Sequence, residues 1–366
     1  MSIKKVSVNP KMRASMMERY YSVHNLLNIT LKDKRGYFSQ RFSLFEKDYE
    51  YFSTSEAFDK PDLVIEIGKF TPQNNCNLIE NDTYKVKDDY LFGCFKYKVA
   101  KYQFELSNFN RSDEEKPISL KIQPDFFANR VIHEQVIDYV VYSMLNRQGI
   151  CSLHASAVCK NNRSIVFTGP GGAGKTSFSL SCLKEGFKFL GDDRILLNNG
   201  ETLEFPECPG FKSGNIHYIS DIISKKNRIK LALNTFLEML AFRLIGGFVY
   251  LKSTEVFPQY LGQHSALDTI VCIQPSHKYE ITLIDAEKVI DHFYMNQLFE
   301  NRRFLRHIYN YSTIYPCNSL QKDLDLYAQN LKKNIPKDFT AYEIRLRPED
   351  YPRVNKWLKE TILDTF

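Results

Sequence analysis

The chain has no cysteine pattern. Its eight cysteines (76, 94, 151, 159, 182, 208, 272, 317) form no C-x-x-C pair and no zinc-ligand spacing, which argues against a disulfide scaffold and a structural zinc site. Most sit in apolar runs and read as buried thiols of a reducing compartment. Charge of one sign is also missing: 49 Lys and Arg face 43 Asp and Glu, a net +6. The cations are scattered, with no basic stripe of the kind that tracks a nucleic-acid backbone. There is no membrane-spanning run. The longest apolar stretch, Leu231 to Leu251, is broken by Glu238, Arg243 and Gly246-Gly247 and reads as a buried helix. The opening M-S-I-K-K-V-S-V-N-P holds no secretory apolar region. A cytoplasmic protein with neither a nucleic-acid nor a membrane partner is expected; homo-oligomerisation stays open.

What is present is ample core material: 43% hydrophobic and 14% aromatic over 366 residues. The first 125 residues read as β-rich. Leu63–Ile67, Tyr90–Val99, Tyr102–Leu106 and Ile118–Ile122 are strand candidates. Asn74-Asn75, Asn81-Asp82 and Asn110–Asp113 supply turns, and Asp113–Lys116 an exposed charged stretch. Met12–Leu26 is expected to be helical. A boundary near Pro124-Asp125 gives two expected domains, 1–125 and 126–366, the first a candidate for selecting substrate. Beyond it, Ala128–Arg147 predicts a helix with Ile132, Val136, Val140 and Met144 on one stripe, closed by Gly149. Ser152–Val158 predicts a short strand that carries His154.

The densest information lies in Ser164–Gly191 and the acids that follow. An apolar run, Ile165-Val166-Phe167, leads into Gly169-x-x-x-x-Gly174-Lys175-Thr176, and a helix-like segment opens there. That is the phosphate-binding loop in its required context, strand before and helix after. Glycines let backbone N–H groups converge on phosphate oxygens. The new helix adds unpaired N–H groups and the positive end of its dipole. Gly169, Gly171, Gly172, Ala173, Gly174, Lys175, Thr176 and Ser177 are the candidate cradle for a nucleoside triphosphate. Lys175 would reach the outer phosphates and Thr176 would ligate Mg²⁺. After the helix, a second apolar run (Phe187, Phe189, Leu190) delivers Asp192-Asp193, where a metal-binding carboxylate is expected. One acid can hold Mg²⁺ while the other accepts a proton from an attacking hydroxyl.

Three stretches together, L-H-A-S-A-V, F-T-G-P-G-G-A-G-K-T and F-L-G-D-D-R-I-L-L, resemble the catalytic domain of the HPr kinase/phosphorylase superfamily. His154 stands 21 residues before Lys175 and Asp192 stands 17 after it, in the order and register of that family. The resemblance covers about residues 129–200 well. It implies an α/β fold: a P-loop catalytic domain of the phosphoenolpyruvate carboxykinase type, here behind a β-rich N-terminal domain. It further implies ATP- and Mg²⁺-dependent phosphorylation of a serine hydroxyl on a protein or peptide. On that pattern Asp192 is the acid/base, Asp193 its partner at the metal or substrate, and His154 the group that tunes or orients the carboxylate, with Lys175 a catalytic cation. Arg194 would offset the acids' charge.

The chain departs from the family in two places. Ala155 follows the histidine where the family has glycine, and Phe205–Lys212 stands where a glycine-rich acidic signature belongs. An acceptor other than HPr is therefore expected. A nucleotide hydrolase, a nucleotide-gated scaffold and a kinase of a small-molecule hydroxyl are the alternatives. Glu207 and Lys212, around Pro209-Gly210, form a turn that could approach the phosphates. Arg228–Tyr250 and Ala286–Tyr309 read as helices, the latter with Arg302, Arg303 and Arg306 on one side as a solvated face or an anion site. Thr269–Gln274 and Tyr279–Leu283 read as a hairpin, Ala341–Leu346 as a strand, and Tyr351–Ile362 as a helix with Val354, Trp357 and Leu358 inward.

Overall fold

A computed structural model gives the fold and describes residues 17–36, 44–80, 83–110, 116–207, 223–240 and 253–366. The chain is mixed α/β, built on two large mixed sheets. It divides into two compact units. One comprises the described residues up to Leu44, Phe52–Ile137 and Tyr309–Ser319; the other comprises Phe45–Tyr51, Asp138–Ile308 and Leu320–Phe366.

The first unit opens with a hairpin of β1 (Met17–Val23) and β2 (Leu27–Asp33). The expected helix over Met12–Leu26 is thereby corrected from Met17 onward; the residues before it lie outside the described ones. His24 and Asn25 both take left-handed φ, 51° and 59°, in the three-residue loop between Val23 and its partner Leu27. The Leu26 N–H closes it on the Val23 carbonyl at 2.9 Å. Tyr21, Val23, Leu27, Ile29 and Leu31 are all buried, a period of two that no helix presents to one core. Next come β3 (Ser53–Thr54), β4 (Leu63–Ile67), β5 (Asn77–Ile79), β6 (Tyr84–Lys87), β7 (Tyr90–Tyr97), β8 (Ala100–Ser107) and β9 (Ile118–Pro124). The sheet order is β3-β1-β2-β4-β9-β8-β7-β6-β5. β4 lies parallel to both neighbours, and β5 to β9 form antiparallel pairs. Asn75 makes its turn at φ 58°. Asn81-Asp82 and residues 111–115 lie outside the described residues.

The predicted helix up to Arg147 runs as Asn129–Ile132, a wider turn His133–Ile137, and Asp138–Arg147. Ile132, Val136, Val140 and Met144 are buried, and Gly149 ends the segment at φ 84°. In the second unit, Arg147 pairs with buried Asp323 at 2.8 Å.

The second unit's sheet holds β10 (Cys151–Leu153), β11 (Ala155–Lys160), β12 (Arg163–Thr168), β13 (Lys188–Gly191), β14 (Ile195–Asn198), β15 (Glu201–Leu203), β16 (Ser265–Pro275), β17 (Glu280–Leu283) and β18 (Thr340–Leu346). The order is β10-β14-β15-β16-β12-β11-β13, with β18 on β16 and β17 on β18. Two expectations change. The single strand over Ser152–Val158 is two strands that part at His154: β10 pairs with β14, while β11 pairs with β12 and β13. The hairpin of Thr269–Gln274 with Tyr279–Leu283 does not form. β18 lies parallel to β16 and takes that edge, and β17 pairs with β18 instead. A buried parallel strand offers β16 a longer ladder, seven paired residues, than the four of β17 could.

β12, β16 and β18 all run parallel, so their C-terminal ends form one edge, where open α/β sheets bind ligands. The core beneath is apolar: Ile165, Phe167, Phe178, Phe189, Val271, Ile344, Val354 and Leu358 are all nearly inaccessible. Burying a side chain the size of Phe178 stabilises the fold by roughly 1.5–3 kcal/mol. The helix expected over Arg228–Tyr250 is seen as Lys225–Leu240; residues 241–252 lie outside the described ones. Among the described residues no helix is long and apolar enough to cross a membrane.

Candidate active site

Strand register assembles the site. β11 runs antiparallel to β12, with Ala155 opposite Thr168, so His154 sits where β12 ends and the glycine-rich loop begins. β13 runs antiparallel to β11, with Gly191 opposite Ala157, so Asp192 emerges at the same edge. Ser156 ties the layers together: its hydroxyl meets Ser179 Oγ at 2.6 Å and donates to the Gly191 carbonyl at 3.1 Å. Residues far apart in the chain thus share one end of the sheet.

The loop leaves no room for a Cβ at two points. Gly169 takes φ 152°, and a Cβ there would lie 2.3 Å from the Ile273 carbonyl oxygen. Gly174 takes φ 102°, and a Cβ would meet the Tyr351 hydroxyl at 2.8 Å. At Gly171 and Gly172 a Cβ would meet nothing within 4 Å, which leaves that side of the loop open. Gly174 is the N-cap of the helix Lys175–Leu183, so its first turn presents N–H groups to the loop's mouth. Phe178 anchors that turn against Phe167 and Tyr351, at ring separations of 6.2 Å and 5.3 Å.

Lys175 is buried at 5% exposure. Its ammonium donates to the Gly169 carbonyl at 2.8 Å, the Pro170 carbonyl at 3.4 Å and His154 Nε2 at 2.9 Å. An ammonium has no lone pair to offer, so Nε2 must be the acceptor and the ring is neutral with its proton on Nδ1. Burial first, and Lys175 second, hold the His154 pKa below its ordinary value; Asp193 and Glu300 act against them. His154 also hydrogen-bonds the Asp193 backbone.

Thr176 Oγ1 lies 2.9 Å from both carboxylate oxygens of Asp192. Asp192 is 3% exposed. Its pKa is pushed up to about 7, by burial first and by the Asp193 charge second; Thr176, Lys175 and Ser156 pull it back. Asp193 takes a left-handed φ of 65°, turning the chain sharply between the two acids, and Asp193 is exposed. A hydroxyl and two carboxylates are hard oxygen donors of the kind Mg²⁺ takes when phosphates and water complete its shell. Among the described residues no group of three or more His, Cys, Asp or Glu converges as a closed metal site. Thr176 faces Asp192 in this arrangement, so the donor set that fits Mg²⁺ adds Asp192 to the expected Thr176 and Asp193.

Arg194 does not serve the acids. Its guanidinium is taken up by Asp138 at 2.5 Å, Glu207 at 3.1 Å and the Tyr49 hydroxyl at 2.7 Å, and it faces the Phe205 ring at 4.9 Å. Glu207 is therefore turned to Arg194; Cys208–Lys212, with the expected phosphate-approaching turn, lie outside the described residues.

Three residues of the site's surroundings carry no expectation from the sequence. The helix Ala286–Ser312 sends a polar stripe across the sheet edge. His292 meets Glu343 at 3.0 Å, Asn296 donates to Thr168 Oγ1 at 3.1 Å, and Glu300 Oε1 lies 3.7 Å from His154 Nε2. Thr168 in turn donates to the His154 carbonyl at 3.2 Å. The only signal in the sequence is polarity at every fourth position, 292, 296 and 300, on a helix otherwise apolar towards the sheet.

No protein-family model matches the chain, and no curated protein matches it. Among solved structures, the HPr(Ser) kinase/phosphatase from Coxiella burnetii is similar over 58% of this chain and 97% of that one, distantly, at a TM-score of 0.26 and 11% identity.

Proposed function

We propose that this protein is an ATP- and Mg²⁺-dependent kinase that transfers the γ-phosphoryl group to a hydroxyl, serine foremost, of a protein or peptide, on an HPr kinase-like P-loop domain. The observation that carries the reading is the Thr176–Asp192 contact. A buried carboxyl with a pKa of about 7 meets the hydroxyl that follows the loop lysine, which supports this reading because a general base works best when its pKa lies near the operating pH.

The chain's own residues divide the work. N–H groups of the loop from Gly169 to Ser177 hold the phosphates, and Lys175 exchanges its carbonyl partners for phosphate oxygens. His154, neutral, accepts from Lys175 and keeps the ammonium aimed at the loop. Asp192 takes the proton of the acceptor hydroxyl as the new O–P bond forms and the bond to the β-phosphate oxygen breaks, leaving ADP. Mg²⁺, held by Thr176 and Asp193, would neutralise charge on the phosphates and leave Asp192 to act as the base.

Mass spectrometry of polypeptides encoded beside this one, after incubation with ATP and Mg²⁺, tests the proposal. One acceptor should gain the mass of a phosphoryl group. Asp192→Asn should slow that gain by about 100-fold or more while nucleotide still binds. An Asp192→Asn protein that labels the acceptor at the wild-type rate would remove the base assignment. Phosphate release with no labelled acceptor would identify a hydrolase.

A further inference from the structure

The helix Ala286–Ser312 carries a second stripe beside the one that reaches the site. Its residues up to Ile308 belong to the second unit. Met295, Phe299, Arg302 and Arg306 all face solvent, spaced four, three and four residues apart, so they align along one side of the helix. Met295 is 60% and Phe299 55% exposed. The outward stripe of an amphipathic helix is ordinarily polar; two large apolar side chains one turn apart leave a patch in water. Arg302 bends over that patch, its guanidinium 4.0 Å from the Phe299 ring and donating to the Phe299 carbonyl at 2.5 Å.

Position and charge point to an occupant. Met295 and Phe299 each precede a residue of the polar stripe, Asn296 and Glu300, so the patch lies about 100° round the helix from the face at His154 and Thr168. Charge along the stripe is graded: Asp291 stands one turn before Met295, and Arg302 and Arg306 follow Phe299. Met295 to Arg306 spans about 16 Å, the reach of about five extended residues.

We propose that this stripe docks the acceptor polypeptide. An apolar side chain seats on Met295 and Phe299, an acidic side chain meets Arg302 and Arg306, and the hydroxyl is left beside Glu300 at the mouth of the site. The proposal rests on the phosphoryl-transfer reading above. The graded charge selects an acidic segment, because a basic one would face two arginines.

Fluorescence anisotropy on the full chain tests it without requiring transfer. The probe is a short fluorescein-labelled peptide with a Leu-Phe pair followed by Asp-Glu-Asp and with Ala in place of the hydroxyl residue; a twin carries Lys for each acid. The acidic peptide should bind about tenfold tighter than its twin. Phe299→Ala and Arg302→Glu should each weaken it about tenfold and leave binding of a fluorescent ATP analogue unchanged, which also reports an intact fold. Equal binding of the twins, or indifference to both substitutions, would overturn the proposal. So would self-association that Phe299→Ala abolishes, since the stripe would then belong to a second copy. A protein that binds the acidic peptide yet phosphorylates no polypeptide would sink the kinase reading alone. One that phosphorylates its acceptor equally well as Arg302→Glu would sink the docking surface alone.

Discussion

Asp192→Asn should stabilise the nucleotide-free protein while it removes transfer, and the gain should depend on pH. The folded carboxyl titrates near 7 against an ordinary value of 3.8, because it is buried and faces Asp193. Below pH 3.8 folded and unfolded chains both carry it protonated. Between 3.8 and about 7 the folded chain holds the extra proton. Stability therefore falls as pH rises through that window. A gap of about 3 pH units, at about 1.4 kcal/mol each, amounts to about 4 kcal/mol. Asparagine keeps an acceptor for the Thr176 hydroxyl and has no charge to bury. Relative to wild type, the variant should gain about 4 kcal/mol between pH 4 and pH 8, most of it by pH 7. The single tryptophan, Trp357, lies on the helix Tyr351–Thr361 and packs against Tyr342 at 5.0 Å, both within the second unit. Its fluorescence in urea titrations follows the unit that holds the site, so the two units need not unfold together. A difference between variant and wild type that stays flat from pH 4 to pH 8, or a variant less stable at high pH, would refute the burial argument.

Three further outcomes are expected. Lys175→Ala should weaken nucleotide affinity by about 10- to 100-fold, the worth of a charge-assisted hydrogen bond to phosphate, read by isothermal titration; unchanged affinity would remove the loop's assignment. Gly169→Ala places a Cβ 2.3 Å from the Ile273 carbonyl oxygen at φ 152° and should cost roughly 2–4 kcal/mol in the same tryptophan assay, along with loss of nucleotide binding. Arg147→Met strips Asp323 of its cation, 2.8 Å away, and should cost about 3 kcal/mol. Burial already holds the Asp323 pKa up against Arg147. Without the arginine the carboxyl stays protonated to higher pH, so the penalty should shrink at pH 5 and grow at pH 8; a loss independent of pH would show that packing alone is at stake.

Local signals carried much of the site's outline. A glycine-rich turn between an apolar run and a helix requires particular residues in particular order, and β12, the loop and the helix Lys175–Leu183 lie where those residues predicted. The acids after β13 were equally visible, because a short apolar strand following that helix leaves the chain at the same edge. The hairpin β1–β2 is hidden in the sequence because its turn, at His24-Asn25, carries no glycine, and two left-handed non-glycine residues in a row are an uncommon way to close it.

By itself, the sequence determined the elements whose instructions are local: the tight glycine-rich loop, the strand before it, the helix after it, the order His154, Lys175, Asp192. Tertiary structure alone decided what register and competition between strands decide. The chain parts at His154 because β10 and β11 take different partners. β18 displaces β17 from the edge of β16. Glu300, 125 residues after Lys175, reaches His154 only because the helix Ala286–Ser312 lies across the sheet edge. Hydrogen-bond partners in a sheet and contacts between packed helices join residues of any separation, so no window of neighbouring residues encodes them.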